Sequence, residues 1–324
     1  MKALLCTQFG PPSLLEIKDV PSPTPGPGEV VITVKAASVN FPDVLIIENK
    51  YQFKPALPFS PGSELAGVVK EVGEGVASTA PGDRVMVFTI HGAFAEEVKV
   101  EATRVLPIPA GMTFPTAAAL LLTYGTMDHG LRDRGAVKTG ETVLVLGASG
   151  GIGIASIQIA KALGARVIAC ASSEDKLAVC REQGADEVIN YATSDLREGI
   201  KALTGGRGVD VIVDPVGGAY TEPALRSIAW RGRLLVVGFA AGDIPKIPLN
   251  LTLLKGCAIV GVFWGEFLRR EPEAFAGSVA QLGQWYAEGR LKPHISATFP
   301  LERAAEAIEM MAARQVVGKV IVLP

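Results

Sequence analysis

Several things are scarce in this sequence, and each shortage removes a class of protein. There are only four cysteines in 324 residues, Cys6, Cys170, Cys180 and Cys257, and no two form a C-x-x-C pair. Scattered in this way they give neither a disulfide framework nor a thiolate metal knuckle. Three of them fall in or beside apolar strand candidates, where a free thiol packs as a small hydrophobe. The three histidines, His91, His129 and His294, are too dispersed to form a metal cluster. An excess of one charge is missing too: 31 basic residues face 33 acidic ones, so no basic field invites nucleic acid or an anionic membrane. No apolar run is long enough to cross a bilayer. The patch from Met1 to Cys6 is ended by Gln8, Pro11 and Pro12 before a signal-peptide core could form, so the expected location is the cytoplasm. Internal repeats and low-complexity segments are also lacking.

What is present is enough apolar material, 48% of residues, for two cores in a chain that exceeds the usual size of one. The stretch from Glu141 to Gly153 organises the rest. Val143 to Leu146 is an unbroken apolar run, as in a parallel strand buried on both faces. Gly147-Ala148-Ser149-Gly150-Gly151-Ile152-Gly153 follows, and then a helical pattern carrying Ile154, Ile157, Gln158 and Lys161 up to Leu163-Gly164. Such a junction turns free backbone N–H groups and the positive end of a helix dipole toward one point, which makes an anion site. Gly150 leaves room for a pyrophosphate, and Gly153 lets the helix pack closely. Ala148 stands where the strict pattern has its first glycine. Context supplies the strength: a strand before, a helix after, and a second strand, Arg166 to Cys170, at βαβ spacing.

Up to about Thr113 the chain offers short apolar runs broken by proline and glycine, with strands expected at Lys2 to Cys6, Val30 to Val34, Leu65 to Val72, Arg84 to Phe88 and Phe94 to Val98. This pattern predicts a small antiparallel barrel, with almost no helical periodicity. Beyond about Pro115 a helix over Thr116 to Leu122 leads into alternating strands and helices, the strands at Arg166 to Cys170, Glu187 to Asn190, Val209 to Asp214, Arg233 to Val237 and Ala258 to Gly261. With Val143 to Leu146 they make a doubly wound parallel sheet. Helices are expected at Phe275 to Glu288 and Leu301 to Ala313, with Met310 and Met311 in the core, and a strand at Lys319 to Leu323 that returns to the first domain.

The sheet also predicts which dinucleotide binds. An acidic residue at the end of its second strand would bind a ribose 2′-hydroxyl and repel a 2′-phosphate. Ala171 is there instead, followed by Ser172 and Lys176, which can hold a phosphate through charge-assisted hydrogen bonds. NADPH is therefore expected over NADH, although Ser172-Ser173 can also serve as a helix cap.

With these residues in hand, the sequence resembles the medium-chain dehydrogenase/reductase superfamily, and within it the zinc-free quinone oxidoreductase branch. The likeness covers essentially the whole chain. It rests on Ala37-Ser38-Val39-Asn40-Phe41-Pro42-Asp43, Pro61-Gly62-Ser63-Glu64-Leu65-Ala66-Gly67, Pro81-Gly82-Asp83-Arg84-Val85, the glycine turn, Asp214-Pro215-Val216-Gly217-Gly218, Val262-Phe263-Trp264-Gly265 and Gly318-Lys319. The resemblance implies a GroES-like catalytic domain of residues 1–122 and 267–324, a Rossmann domain of residues 123–266, the dinucleotide in the cleft between them, and a homodimer built through the edges of the nucleotide sheets. It also implies no metal, because positions that carry zinc ligands in related alcohol dehydrogenases hold Asn40 and Ser63, and Thr116 to Leu122 contains neither Cys nor His.

By the same resemblance Asn40 and Thr123 lie near the nicotinamide ribose, and Lys319 on the ribose or phosphate side. Tyr191 joins the 2′-phosphate site, Val216 belongs to the cofactor site, and Val237, Gly238, Phe239, Ala240, Phe263 and Trp264 hold the nicotinamide. The acceptor side is expected from Asn40, Asp43 and Tyr51, with Phe41, Phe59 and Trp264 as apolar walls and Tyr51 as donor to the substrate oxygen. Alternatives stay open for Asp43, as a solvated turn residue, and for Tyr51, as a packing aromatic. Without a metal the acceptor must already be electrophilic, which suits a quinone or a related conjugated carbonyl. A reductase of enals or enoyl thioesters, with Lys50, Lys54, Arg269 and Arg270 reading the thioester, is a second possibility. A non-catalytic NADPH-binding protein is a third.

Overall fold

The computed structural model describes all residues from Met1 to Pro324. It divides into two compact units, Met1–Leu122 with Ile295–Pro324, and Thr123–His294. The chain therefore re-enters the first unit at Ile295 and not at 267, because helix Pro272–Ala287 and its neighbours belong with the second unit.

The first unit is built on a seven-stranded sheet in the order Ile295–Pro300, Lys319–Leu323, Glu29–Val39, Glu64–Val72, Arg84–Phe88 and Val105–Pro107, with Glu97–Glu101 also pairing on Glu29–Val39. All pairings are antiparallel except that of Ile295–Pro300 with Lys319–Leu323. The expected strand at Phe94 to Val98 forms later, at Glu97–Glu101. Phe94 and Ala95 are instead fully buried plugs in the core.

Register decides what meets what. Val39 pairs with Val320, so Lys319 comes opposite Asn40, while Ser38 faces Ile321 on one side and Glu64 on the other. An unexpected helix, Phe41–Ile47, follows directly and buries Val44, Ile46 and Ile47. Pro42 in its first turn costs nothing, since that N–H has no helical partner in any case.

The second unit is a six-stranded parallel sheet in the order Glu187–Asn190, Arg166–Ala171, Thr142–Val145, Val209–Asp214, Ile228–Val236 and Ala258–Gly261. The order reverses between Thr142–Val145 and Val209–Asp214, which makes the carboxyl ends of those strands the topological switch point. Helices Gly151–Ala162, Glu174–Glu182, Leu196–Thr204 and Thr221–Arg226 connect the strands. Apolar residues from strands and helices, among them Leu144, Ile168, Ile200, Ile212 and Leu225, form its core. The expected helix over Thr116 to Leu122 resolves into two, Phe114–Ala118 and Leu121–Asp128, the first belonging to the first unit. No helix is long and apolar enough to cross a membrane.

Candidate functional site

Two constellations hold the sequence-predicted residues, one in each unit. In the second unit the strand Thr142–Val145 ends in a turn whose sharp step is taken by Gly147, at φ +58°. A side chain there would also strike Val216. The tight-turn glycine therefore sits one residue before the position of Ala148, which is fully buried and donates its N–H to Cys170 O at 2.9 Å. At Gly153 a Cβ would lie 2.4 Å from the Ala148 carbonyl, so the helix can close onto the turn only with glycine there.

Gly150 differs from both. Its backbone is ordinary, at φ −78° and ψ 174°, and an added Cβ would find its nearest atom at 3.5 Å. The fold does not demand a glycine, and the space above it is open. Gly150 caps helix Gly151–Ala162 without any side-chain hydrogen bond, so the first N–H groups, on Gly151, Ile152 and Gly153, point past the helix end with no intrahelical acceptor. A bare cradle of this kind fits a diphosphate.

The neighbouring strand ends converge on the same edge of the sheet. Ala171 ends its strand, and Ser173, not Ser172, caps the next helix by accepting from Lys176 N at 3.4 Å. Ser172 is left exposed, and Lys176 is half-buried on the first turn of that helix. Tyr191 packs against Tyr220 with ring centroids 4.4 Å apart and the rings tilted by 37°.

Asp214, in the sequence one letter of the Asp214-Pro215-Val216-Gly217-Gly218 motif, organises the other side of the switch point. It is 3% exposed; its carboxylate accepts from Val216 N, Gly217 N and Thr221 Oγ1, and its carbonyl from Val237 N and Gly238 N. The segments carrying Val216 and Val237-Gly238-Phe239-Ala240 are thereby tied together, with Ala240 N bonded to Pro215 O. Phe263 is exposed, whereas Trp264 is buried against Gly125 and Phe275, which gives it a packing role. Thr123 is buried.

The first unit holds a cluster of buried charge. Glu64 is fully buried, and its carboxylate accepts from Ser38 Oγ at 3.0 Å, Asn40 Nδ2 at 3.2 Å, Leu122 N at 2.8 Å and Lys319 Nζ at 3.3 Å. Lys319, 3% exposed, donates also to Asn40 Oδ1 at 2.5 Å. Asp43 is not a solvated turn residue: it is fully buried, accepting from Asn40 N at 2.8 Å and Ser63 Oγ at 3.0 Å.

Burial pushes the Asp43 carboxyl up to about 7, against the pull of Asn40, Ser63 and Lys319 and with a further push from Glu64. Burial lowers the Lys319 ammonium, and Glu64 opposes that shift. Asn40, Asp43 and Lys319 are thus brought together as expected residues, while Glu64 and Ser38 were missed. Tyr51 is outside this hydrogen-bonded set. It is half-buried on the first unit's core, beside Phe53, and its phenol is raised by burial and by the charge of Asp43.

Other candidates are used elsewhere. Lys50 pairs with Glu48, and Arg269 and Arg270 both pair with Glu266, all in exposed local ion pairs. His91 packs on Phe59, and His129 stacks on Phe267. No three His, Cys, Asp or Glu side chains converge as metal ligands do. Cys6, Cys170 and Cys180 are buried free thiols, and burial raises all three.

Known proteins share this architecture. Residues 26–110 match the alcohol dehydrogenase GroES-like domain, and residues 151–282 match the zinc-binding dehydrogenase domain. The quinone oxidoreductase-like protein 2 homolog of Nematostella vectensis is 40% identical over 324 residues, which span 99% of this chain and 88% of that protein. The quinone oxidoreductase of Rattus norvegicus is 36% identical over 326 residues, covering 100% of this chain and 98% of that one. The crystal structure of Escherichia coli quinone oxidoreductase complexed with NADPH superposes with a TM-score of 0.94 at 29% identity, covering 100% of both chains.

Proposed function

Because this chain belongs to the quinone oxidoreductase branch of the medium-chain dehydrogenase/reductase superfamily, we propose that it is an NADPH-dependent reductase of quinones or related conjugated carbonyls that works without zinc. The observation that carries the reading is the uncapped helix start at Gly150 to Gly153, lying at the switch point of a parallel sheet. Bound there, NADPH would supply the hydride. The first-turn amides would hold its diphosphate. Ser172, Lys176 and Tyr191 would receive the 2′-phosphate, and the absence of a carboxylate at Ala171 spares it repulsion. The chain segments tied by Asp214 would give backbone contacts to the nicotinamide.

Polarisation of the acceptor falls to neutral donors. Tyr51, with its phenol kept protonated by burial, would donate to the substrate oxygen, while Asn40 and Asp43 would shape the polar wall. The zinc-free reading is supported by Lys319, whose ammonium already occupies the place among Asn40, Glu64 and Asp43 where a cation would have to sit. Quinones suit such a site because conjugation makes them electrophilic without a Lewis acid. The deciding assay follows NADPH oxidation with a quinone, an enal and an acyl thioester, before and after chelator treatment. Turnover with the quinone, unaffected by chelator, is expected; binding without oxidation of any acceptor would refute the reading.

We also assign a homodimer through the edge strand Ala258–Gly261. Its backbone edge is unpaired and is flanked by Trp230, Leu249, Leu253 and Leu254, which are 70%, 76%, 79% and 67% exposed. Sedimentation should show two subunits for the wild type and one for Leu253→Asp.

A further inference from the structure

The Glu64 carboxylate accepts four hydrogen bonds, as many as the Asn40 side chain makes, and no step of the proposed reaction uses it. It draws on three separate stretches of chain: Ser38 and Asn40 at the end of one strand, Lys319 at the start of another, and the backbone of Leu122. Two of its partners limit each other. The Asn40 amide gives its N–H side to Glu64 and Ser38, which leaves its oxygen turned toward Lys319.

The Lys319 ammonium has three N–H donors. One goes to Asn40 and one to Glu64, and the third meets no protein acceptor although the side chain is only 3% exposed. A buried ammonium with a donor to spare is held ready for a ligand, since leaving such a donor unmatched costs free energy. Without Glu64 the ammonium would be buried with only the more distant Asp43 as countercharge, and it would shed its proton.

We infer that Glu64 is the positioning residue of this cluster: it keeps Lys319 charged and fixes Asn40, so that the remaining N–H of Lys319 is presented to the anionic dinucleotide. The inference rests on the assignment of Asn40 and Lys319 to the NADPH site.

It is tested by fluorescence titration of NADPH binding from pH 6 to 9 with the wild type, Asp43→Asn as background, Glu64→Gln on that background, and the double variant Glu64→Gln/Lys319→Met. Loss of one charge-assisted contact should weaken binding by roughly tenfold to a hundredfold. In Glu64→Gln made on the Asp43→Asn background, so that ionisation of Asp43 at about 7 cannot supply a second countercharge, the loss should grow as pH rises and recede at low pH, where Lys319 regains its proton. A purely structural role would lower the melting temperature without this pH signature. The double variant, which buries no charge of the pair, should fold like the wild type and bind weakly at every pH. Wild-type affinity in either Glu64 variant, or a loss in Glu64→Gln on the Asp43→Asn background that does not vary with pH, overturns the inference. Failure of the wild type itself to bind NADPH would instead overturn the proposed function.

Discussion

The two units build polar sites in opposite ways. The second leaves backbone amides bare at a helix start and adds almost no side-chain charge at that point. The first buries two carboxylates and one ammonium within a single hydrogen-bonded group. A backbone cradle is set by which residues have no side chain, so it depends on shape. A buried charge cluster is set by balance, so it depends on protonation. Perturbations should therefore separate the two: the glycine turn should respond to added atoms, the cluster to altered charge.

The largest effect is expected at Lys319. Replacing it with Met strands Glu64 and Asp43 without their countercharge and should destabilise the fold by about 3–5 kcal/mol, whereas adding Glu64→Gln should recover most of that loss. Denaturant unfolding of the single and double variants measures both.

Next comes Asp43. Its folded-state value, about 7, stands above its ordinary 3.8, so the stability it contributes is complete below about pH 3.8 and is lost as pH rises through about 7. A shift of that size corresponds to about 4 kcal/mol, as an order of magnitude. Wild-type urea midpoints should fall between pH 4.5 and pH 8 relative to those of Asp43→Asn; parallel profiles would show that Asp43 ionises normally.

At the glycine turn, Gly153→Ala forces a Cβ to 2.4 Å from the Ala148 carbonyl and should cost about 1–3 kcal/mol or more. Gly150→Ala, with its nearest atom at 3.5 Å, should cost the fold no more than about 1 kcal/mol, the difference between glycine and alanine as a helix cap, and yet abolish NADPH binding. Equal behaviour of the two would remove the distinction between a glycine kept for packing and one kept for a ligand. The smallest effect is expected for Lys176→Ala, which should weaken NADPH selectively, by about tenfold to a hundredfold, with NADH unaffected.

The contrast also explains what could be read from sequence. The nucleotide sheet and its turn are local: an apolar run, a glycine cluster and a helical pattern follow each other within a few residues, and their spacing carries the meaning. The cluster is not local. Asn40 and Lys319 are 279 positions apart and meet only through the register of two strands. Glu64 was visible as one letter of a motif, but nothing in its neighbourhood discloses that four donors converge on it. Helix Phe41–Ile47 was missed because seven residues are too few to display a period. Of the pair Ser172-Ser173, either of which can cap the next helix by sequence, Ser173 does so, because the helix begins at Glu174. Residues 267–294 were assigned to the wrong unit for a similar reason, since helical patterns do not state which core they cover.

The meeting of Asn40 with Lys319 also bears on how the protein is made. The strand that delivers Lys319 emerges from the ribosome only after the whole of Thr123–His294 has been translated. During that interval Glu64 and Asp43 have no ammonium to balance them, and the gap beside Glu29–Val39 is unfilled. The nucleotide-sheet unit can reach its native form while the nascent first unit still waits for its last strand, so the acidic pair is closed off from water late in the life of the new chain.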